Sequence, residues 1–572
     1  MQASKKTEVM EVTELRSSNF NSTKRLRVLA VGLAAFVLSL QAQAAWRAGF
    51  IETESGKSLL HATDLKENES GFSQRDLKSP VELRNLPLFL REGSPSSSEM
   101  YKEYLLSDEA FAKLVDTPSS KVHVQAWPGS EMRALVEQGP TSNRINLTIV
   151  GDGYTASEKE KFFGDAQRIT NDLFEGDTFH SYLPLFNVYA VFVPSRDSGI
   201  TDVARKNTAL GLFREPAGSK RAIEVGNPAA AERALDLAPA TDYPILLAND
   251  DYYGGLGGRY AITTRSLTSG TMVLRHELGH NFGNVGEEYD GGYVYSGANS
   301  SRNKGAEWKH WAEGGVVKIN EAQYLNGDYV WQNLSRGSYR STFNFPGNGS
   351  VFGMIVSAVG WSSPDDVAVF IDGERLDLKG QFQADRSFFE PANSSLQLSA
   401  GSHVLEAIEQ KKDGDNVLAF IQAHAYPPDY EFDGTKVGAY LNFNDSGSRA
   451  GYRPTHNGCL MREMRTTKFC VVDQENMWVR FLRKVRLIDE LSIDAPSAEG
   501  LRNVKLQHPP LPGLQIRWFK KAGGSEYELT ELKDKSSWQS KDRGDFVVRL
   551  TFETPEVRKA SADFRAEKSF SL

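Results

Sequence analysis

The sequence contains few cysteines: Cys459 and Cys470 are the only two in 572 residues. Two cysteines are too few for a scaffold held together by several disulfides or for a cysteine-rich zinc knuckle. They also do not form the CxxC pair of a redox centre. Stability must therefore come from packed cores, and 572 residues exceed the ~250–300 that one core supports, which predicts several domains.

A long apolar run is also missing. Residues Val28–Leu40 are apolar but shorter than the ~20 residues that cross a bilayer. Lys24, Arg25 and Arg27 precede this run, and Ala42-Gln43-Ala44 follows it as a small-x-small cleavage pattern. This order is typical of a cleaved export signal. We predict a signal peptide over 1–44 and a periplasmic or secreted protein without a permanent membrane anchor.

Positive charge is in deficit. The chain has 66 Lys and Arg against 74 Asp and Glu, for a net charge of −8. Residues 1–44 carry six of the basic and three of the acidic side chains, which leaves −11 on the remainder. An acidic surface argues against nucleic acid or an anionic membrane as a partner. For an exported chain we predict a disulfide between the two cysteines, with free thiols as the alternative.

The segment from about 140 to 330 has an α/β pattern. Arg144–Val150, Phe186–Val193 and Tyr243–Leu247 are predicted to be strands. Thr155 and Glu158 have the spacing of a capping box, and apolar residues then recur at helical intervals, which predicts a helix after the first strand.

The chemistry is concentrated in His276-Glu277-Leu278-Gly279-His280, an HExxH motif on a predicted helix. Residues four apart share one helix face, so both histidines can bind a single metal ion. Glu277 is placed to take a proton from an attacking water. This pattern predicts a peptidase with one catalytic Zn²⁺. A helix that carries these residues by chance is the alternative.

A third zinc ligand is expected downstream, in Asn281-Phe282-Gly283-Asn284-Val285-Gly286-Glu287-Glu288. Gly283 can end the helix with a positive φ and turn the chain back toward the metal. The HExxHxxG run resembles that of the metzincins, whose third ligand lies three residues after the glycine, but here that position is Gly286. We favour Glu288, with Glu287 as the alternative because neighbours in an extended segment point in opposite directions. His456 is a further rival.

Three segments together resemble the IgA-specific metallopeptidases: Asn146–Asp202, His276–Asp290 and Tyr452–Arg462. The resemblance covers roughly 140–480. Members of this family are similar to metzincins, and their best-known activity is cleavage of the hinge of immunoglobulin A heavy chains. The resemblance implies a zinc endopeptidase acting on protein or peptide substrates, and only weakly implies immunoglobulin A.

By the same resemblance, Met461 would lie in a tight turn beneath the zinc, with Cys459 and Cys470 bracing that turn. A strand through Gly258, Tyr260 and Ile262 would border the cleft and pair with an extended substrate. Ordinary core packing and an ordinary edge strand are the alternatives for these residues. Tyr289, Tyr452 and His456 are candidates for stabilising an oxyanion.

The predicted fold class is multidomain α/β plus all-β, with a metzincin-like peptidase domain. Its parts are a β-rich N-terminal domain (46–135), the catalytic domain (140–330 and 436–485), an inserted β module (331–435) and a C-terminal immunoglobulin-like β-sandwich (486–572). The β modules would be able to hold a glycan.

An exported protein that binds glycan or protein through these modules, with an inactive peptidase-like domain, is the alternative function. The intact Glu277 argues against it. A purely structural zinc is disfavoured because the sequence does not reveal four ligands.

Overall fold

A computed structural model describes residues 46–53, 56–64, 100–106, 127–214, 221–292, 294–392 and 398–572. The predicted signal peptide lies outside these residues. Three antiparallel strands are described near the N-terminus, in the order Gly56–Asp64, Trp46–Thr53, Met100–Leu106. No helix in the described part of the chain is long and apolar enough to cross a membrane.

A six-stranded sheet forms the centre of the α/β region. Its strand order is Gly255–Leu256, Ala261–Thr264, Tyr243–Ala248, Ile145–Asp152, Phe186–Phe192, Glu131–Glu137. The four inner strands are parallel, and the two outer strands run antiparallel to them. The predicted strands of this region are therefore confirmed. One boundary needs correction: residues 131–135, which we placed in the N-terminal β domain, belong to the strand Glu131–Glu137, which pairs with the central sheet.

Four α-helices are described: α1 Lys159–Glu175, α2 Pro228–Leu235, α3 Gly270–Gly283 and α4 Val471–Lys484. The capping box is present, since Thr155 and Glu158 exchange side-chain and backbone hydrogen bonds at the turn before α1. Short 3₁₀ turns occupy Thr141–Asn143, Ala156–Glu158, His180–Leu185, Ala306–Trp308, Glu313–Gly315, Leu334–Arg336, Thr530–Leu532 and Ala562–Phe564.

Helices α1, α3 and α4 pack on one face of the central sheet. Phe282 of α3, Phe186 of the sheet and Phe481 of α4 meet there with ring centroids 5.2–5.4 Å apart. The other face is covered by α2 and by the small hairpin Leu212–Arg214 and Ile223–Val225. The sheet is therefore buried on both faces, as parallel sheets usually are.

The inserted region consists of two larger sheets with their own apolar core. One contains Gln323–Asp328, Val417–Tyr426, Val351–Val359, Ser387–Pro391, Leu378–Gly380 and Gln332–Asn333, and the other contains Tyr339–Phe345, Gly401–Glu409, Val367–Ile371 and Glu374–Arg375. An Asp-Gly pair between two apolar runs predicts a hairpin, and Asp372-Gly373 does join Val367–Ile371 to Glu374–Arg375 with positive φ at both turn residues. The first sheet begins at Gln323, before the predicted boundary at 331.

A three-stranded sheet lies where the chain enters and leaves the insertion. It contains Ile319–Asn320 from before the insertion and Ala439–Phe443 and Arg449–Arg453 from after it. After α4, two antiparallel sheets close the chain. They contain Glu490–Ile493, Arg502–Gln507 and Ser537–Ser540, and Ser525–Glu528, Leu514–Ala522, Asp545–Phe552 and Arg565–Ser571. Trp518 and Trp538 pack between these sheets at 5.5 Å. Trp478 of α4 contacts Phe552 at 4.8 Å, so this core is continuous with that of the α/β region.

Candidate active site

Helix α3 carries the HExxH motif and follows the inner strand Ala261–Thr264 directly. Leu274, Leu278 and Phe282 bury one face of the helix in the core. His276 and His280 lie four residues apart, and their rings are perpendicular with centroids 4.9 Å apart. The helix thus presents both imidazoles on one side, as the spacing predicts.

The helix ends in a left-handed residue, but that residue is Asn284 (φ 48°) and not Gly283 as we predicted. The Asn284 amide donates to the His280 carbonyl at 2.8 Å. Asparagine tolerates this conformation better than most side chains, so glycine is not required here. The turn sends the following segment back across the histidines.

Glu287 is the carboxylate that this turn brings to the histidines. Its Oε2 lies 3.2 Å from His276 Nε2, and its Oε1 lies 3.3 Å from His280 Nε2. Glu288 points away and is fully buried elsewhere. Neighbouring residues do alternate in this extended segment, but the alternation places our alternative candidate, Glu287, and not our favoured one, Glu288, beside the histidines.

The other imidazole nitrogens are held by backbone carbonyls. His280 Nδ1 lies 2.8 Å from the Val285 carbonyl, and His276 Nδ1 lies 3.4 Å from the Leu460 carbonyl. An Nδ1 that donates to a carbonyl leaves the neutral imidazole with a lone pair at Nε2. Both Nε2 atoms then face the Glu287 carboxylate. The two imidazole nitrogens and the carboxylate are all electron-pair donors, so a cation between them would bind all three.

Glu287 and the two histidines are also strongly coupled electrostatically. Burial alone would lower the pKa of His280, but the Glu287 carboxylate outweighs burial and raises this pKa to about 9. Burial would raise the pKa of Glu287, but His280 and His276 outweigh it and the pKa is well below its ordinary value. Glu287 Oε2 is buried, and its 3.2 Å approach to His276 Nε2 does not have the geometry of a hydrogen bond. Two imidazoles and a carboxylate are a donor set that suits zinc.

Glu277 lies at the rim of this group and is only partly buried. Gly257 lies so close to it that a Cβ at position 257 would overlap the Glu277 carboxylate. The absence of a side chain at 257 therefore leaves room for this carboxylate beside the metal-ligating group.

The predicted substrate strand needs correction. Ala261–Thr264 is paired on both sides, with Tyr243–Ala248 and with Gly255–Leu256, so Ile262 has no free edge. The hydroxyl of Tyr260 donates to Glu232 at 2.5 Å and the residue is buried, while Gly258 lies in the turn before the strand. The outermost strand is Gly255–Leu256, which leads to Gly257 beside Glu277.

Met461 lies beneath helix α3. It is fully buried, and its Sδ would lie 2.8 Å from a Cβ at Gly279, between the two histidines in sequence. The amides of Arg462 and Glu463 both donate to the Cys459 carbonyl, which makes this a tight turn. The Met461 carbonyl accepts from the Glu288 amide at 3.0 Å. The turn therefore supports both the helix and the segment that carries Glu287.

The predicted disulfide is absent from the structure: Cys459 and Cys470 are buried free thiols. Cys459 Sγ instead donates to Asp473 Oδ2 at 3.1 Å. Glu288 completes a second group of buried donors with these three residues. Burial raises the pKa of both the Glu288 and the Asp473 carboxyl. The sequence interpretation missed this group, for which the only signal was the three-residue spacing of Cys470 and Asp473 at the start of a helix.

Only one of the three oxyanion candidates lies beside the histidines. The Tyr289 ring is 6.2 Å from that of His276. Tyr452 donates its hydroxyl to Glu321 at 2.6 Å. His456 lies in an aromatic cluster where Tyr430 OH is 3.1 Å from its Nδ1, so it is not the third member of the histidine group. Burial there lowers the pKa of His456 to about 2.

Residues 133–312 match the family model described as IgA Peptidase M64. The resemblance to the IgA peptidases is confirmed. The matched range contains most of the central sheet, helix α3 and both glutamates of the turn. This part of the chain therefore resembles a peptidase domain of that family, which implies a metal. Cys459, Met461, Cys470 and Asp473 lie outside the matched range.

No curated protein matches the chain. Among solved structures it is similar to a β-D-glucuronidase of Dictyoglomus thermophilum, at 8% identity and a TM-score of 0.12, over 45% of this chain and 44% of that one. A β-glucuronidase of Ruminococcus gnavus matches at 9% identity and a TM-score of 0.11, over 44% of this chain and 36% of that one. The chain thus spans less than half the length of either enzyme, and similarities this low carry no functional argument.

Proposed function

We propose that the protein is an exported zinc-dependent endopeptidase that hydrolyses peptide bonds of protein substrates. The proposal rests on one observation: two histidines of helix α3, His276 and His280, meet Glu287 from the segment that follows the helix. Glu277 lies beside them, and all four residues are within the range that matches the peptidase family. Export rests on the sequence pattern of residues 1–44. Cleavage of an immunoglobulin A hinge is suggested by the family description alone.

His276 Nε2, His280 Nε2 and Glu287 would hold the zinc. The donor set leaves a position open for water or substrate, because three protein ligands are characteristic of catalytic zinc sites. A zinc ion bound there supplies Lewis-acid polarisation of the peptide carbonyl and lowers the pKa of water. The carbonyls of Val285 and Leu460 contact the Nδ1 atoms and would keep both Nε2 atoms available to a bound ion.

Glu277 is the proposed general base. Its carboxylate takes a proton from the attacking water and then gives it to the leaving amine. Gly257 permits the carboxylate to remain beside the site.

The test is cleavage of casein by the chain lacking residues 1–44, with and without a chelator, beside Glu277→Gln. We expect chelator-sensitive cleavage that falls by about 10²–10⁴-fold in the variant, while metal content stays unchanged. Glu160→Gln on the exposed face of α1 is the matched control and should cleave as the parent does. Full activity in Glu277→Gln would refute the assignment of the base.

A further inference from the structure

Four side chains form a second group of potential metal ligands, which we call the cysteine cluster: Glu288, Cys459, Cys470 and Asp473. One donor atom from each lies within 4.8 Å of the others, and all four residues are buried. The cluster lies on the side of the 284–288 segment opposite the histidines. It contains none of the residues assigned to hydrolysis.

Two carboxylate oxygens of the cluster lack a partner among the described residues. Asn299 Nδ2 donates to Glu288 Oε1 at 3.1 Å, but Glu288 Oε2 has no hydrogen bond. Cys459 donates to Asp473 Oδ2, but Asp473 Oδ1 has none. A buried polar atom without a partner costs ~1–3 kcal/mol. Both residues are completely buried, so bulk water does not satisfy these atoms.

We propose that the cysteine cluster is a second, structural metal site that binds a divalent ion of the zinc type. Two thiolates and two carboxylates supply the four protein ligands that close a tetrahedral structural site. Thiolate ligands select zinc over magnesium and calcium, which prefer oxygen. On binding, each thiol and each protonated carboxyl of the cluster releases its proton to solvent, and no electron is transferred.

The bound ion would join three segments that support the histidine site. Glu288 follows Glu287 directly, Cys459 lies two residues before Met461, and Cys470 and Asp473 begin α4. A closed site leaves no open position for water, so this ion does not take part in hydrolysis. Its effect is to fix the turn beneath helix α3.

The first test uses the unmodified chain, without residues 1–44, purified under reducing conditions and loaded with excess Zn²⁺ before desalting. We expect two zinc ions per chain. In the Co²⁺-loaded protein we expect a thiolate-to-cobalt charge-transfer band in the near ultraviolet. One ion per chain without that band overturns the proposal. A native disulfide between Cys459 and Cys470, detected by intact mass after alkylation, also overturns it.

Variants separate this site from the proposed catalytic one. Cys459→Ser with Cys470→Ser should retain one ion and lose the charge-transfer band, whereas His276→Ala with His280→Ala should retain one ion and keep it. Glu475→Gln is the matched control, since Glu475 is a buried acid on the same helix that pairs with His310 instead. It should retain both ions. Two ions in the cysteine variant overturn the proposal even if the enzyme is inactive.

A cysteine variant that fails to fold leaves the test intact, because the unmodified chain and the histidine variant decide it. The band in the histidine variant supports the cysteine cluster whether or not cleavage is ever observed. Its absence there, with the parent still holding one ion, refutes the cluster and leaves the peptidase proposal standing.

Discussion

Glu287 and Glu288 are adjacent in the chain, yet they belong to two different groups of metal-ligating side chains. Glu287 meets two imidazoles, and the three side chains are 9–25% exposed. Glu288 meets two thiols and a second carboxyl in a group without solvent access. An extended segment can therefore contribute side chains to two sites at once, because its side chains alternate between opposite sides.

The electrostatic environments of the two glutamates differ in the same way. Histidines stabilise the charged form of Glu287 and lower its pKa. Burial and the nearby Asp473 favour the neutral form of Glu288 and raise its pKa. In the metal-free protein, burial and neighbouring charges therefore favour the anionic form of Glu287 and the neutral form of Glu288.

The largest expected difference is in catalysis. Glu287→Gln should lower the rate of casein cleavage by at least about a hundredfold, because losing a direct metal ligand costs more than the ~10–100-fold typical of outer partners. The matched change Glu288→Gln should lower the rate by less than about tenfold, since it acts only through the support of the turn. Rates are measured per folded, metal-loaded chain. A larger loss of cleavage rate in Glu288→Gln than in Glu287→Gln would show that Glu288, and not Glu287, is the residue on which catalysis depends.

The next largest effect is a loss of stability at Gly279, where helix α3 packs against Met461 and Phe469. A Cβ at Gly279 would lie 2.7 Å from the Phe469 ring and 2.8 Å from Met461 Sδ. Gly279→Ala should therefore lower the free energy of unfolding by about 3 kcal/mol through overpacking. Denaturant unfolding of the metal-free chain measures this.

Gly164→Ala in α1 is the control for Gly279→Ala. Nothing lies within 4 Å of a Cβ at Gly164, so the better helix propensity of alanine should raise stability by about 0.5–1 kcal/mol. Equal changes in the free energy of unfolding at the two glycines would show that Met461 and Phe469 do not restrict the space beside Gly279.

A smaller effect is expected from pH. The folded metal-free protein holds the Glu288 proton more tightly than the unfolded chain does. The pKa of this carboxyl in the unfolded chain is near 4.5. Stability is therefore lost as pH rises above that value toward the raised folded pKa. Glu288→Gln keeps a neutral side chain, so its stability relative to the parent should increase as pH rises from about 5 to about 8.

Glu287→Gln should show the opposite dependence. The lowered pKa of Glu287 means that its contribution is present above its unfolded value and is lost as pH falls through the folded one. The variant should therefore be less stable than the parent at neutral pH and approach it in acid. Chelator-treated chains unfolded by denaturant at several pH values test both, and parallel pH profiles would contradict the account.

Local signals were predictable from the sequence. The capping box at Thr155 and Glu158, the hairpin at Asp372-Gly373 and the spacing of His276 and His280 depend on residues close together in the chain, and each is found in the structure. Short-range hydrogen bonding and helical periodicity determine such features, so a sequence pattern is enough to predict them.

Features that depend on long-range contacts were not predictable. The choice between Glu287 and Glu288 depends on the left-handed Asn284 and on the Met461 carbonyl that binds the Glu288 amide from far along the chain. The outermost strand is Gly255–Leu256 and not Ala261–Thr264, because the segment before Ala261 folds back and pairs with it. The cysteine cluster needs three separate segments to meet, which no local pattern reveals.

The most direct measurement is an anomalous difference map, collected at the zinc absorption edge, from crystals of the zinc-loaded protein. We expect a peak bounded by His276 Nε2, His280 Nε2 and the Glu287 carboxylate. A peak at the histidines whose third ligand is Glu288 or His456, or no peak there in an active enzyme, would contradict it.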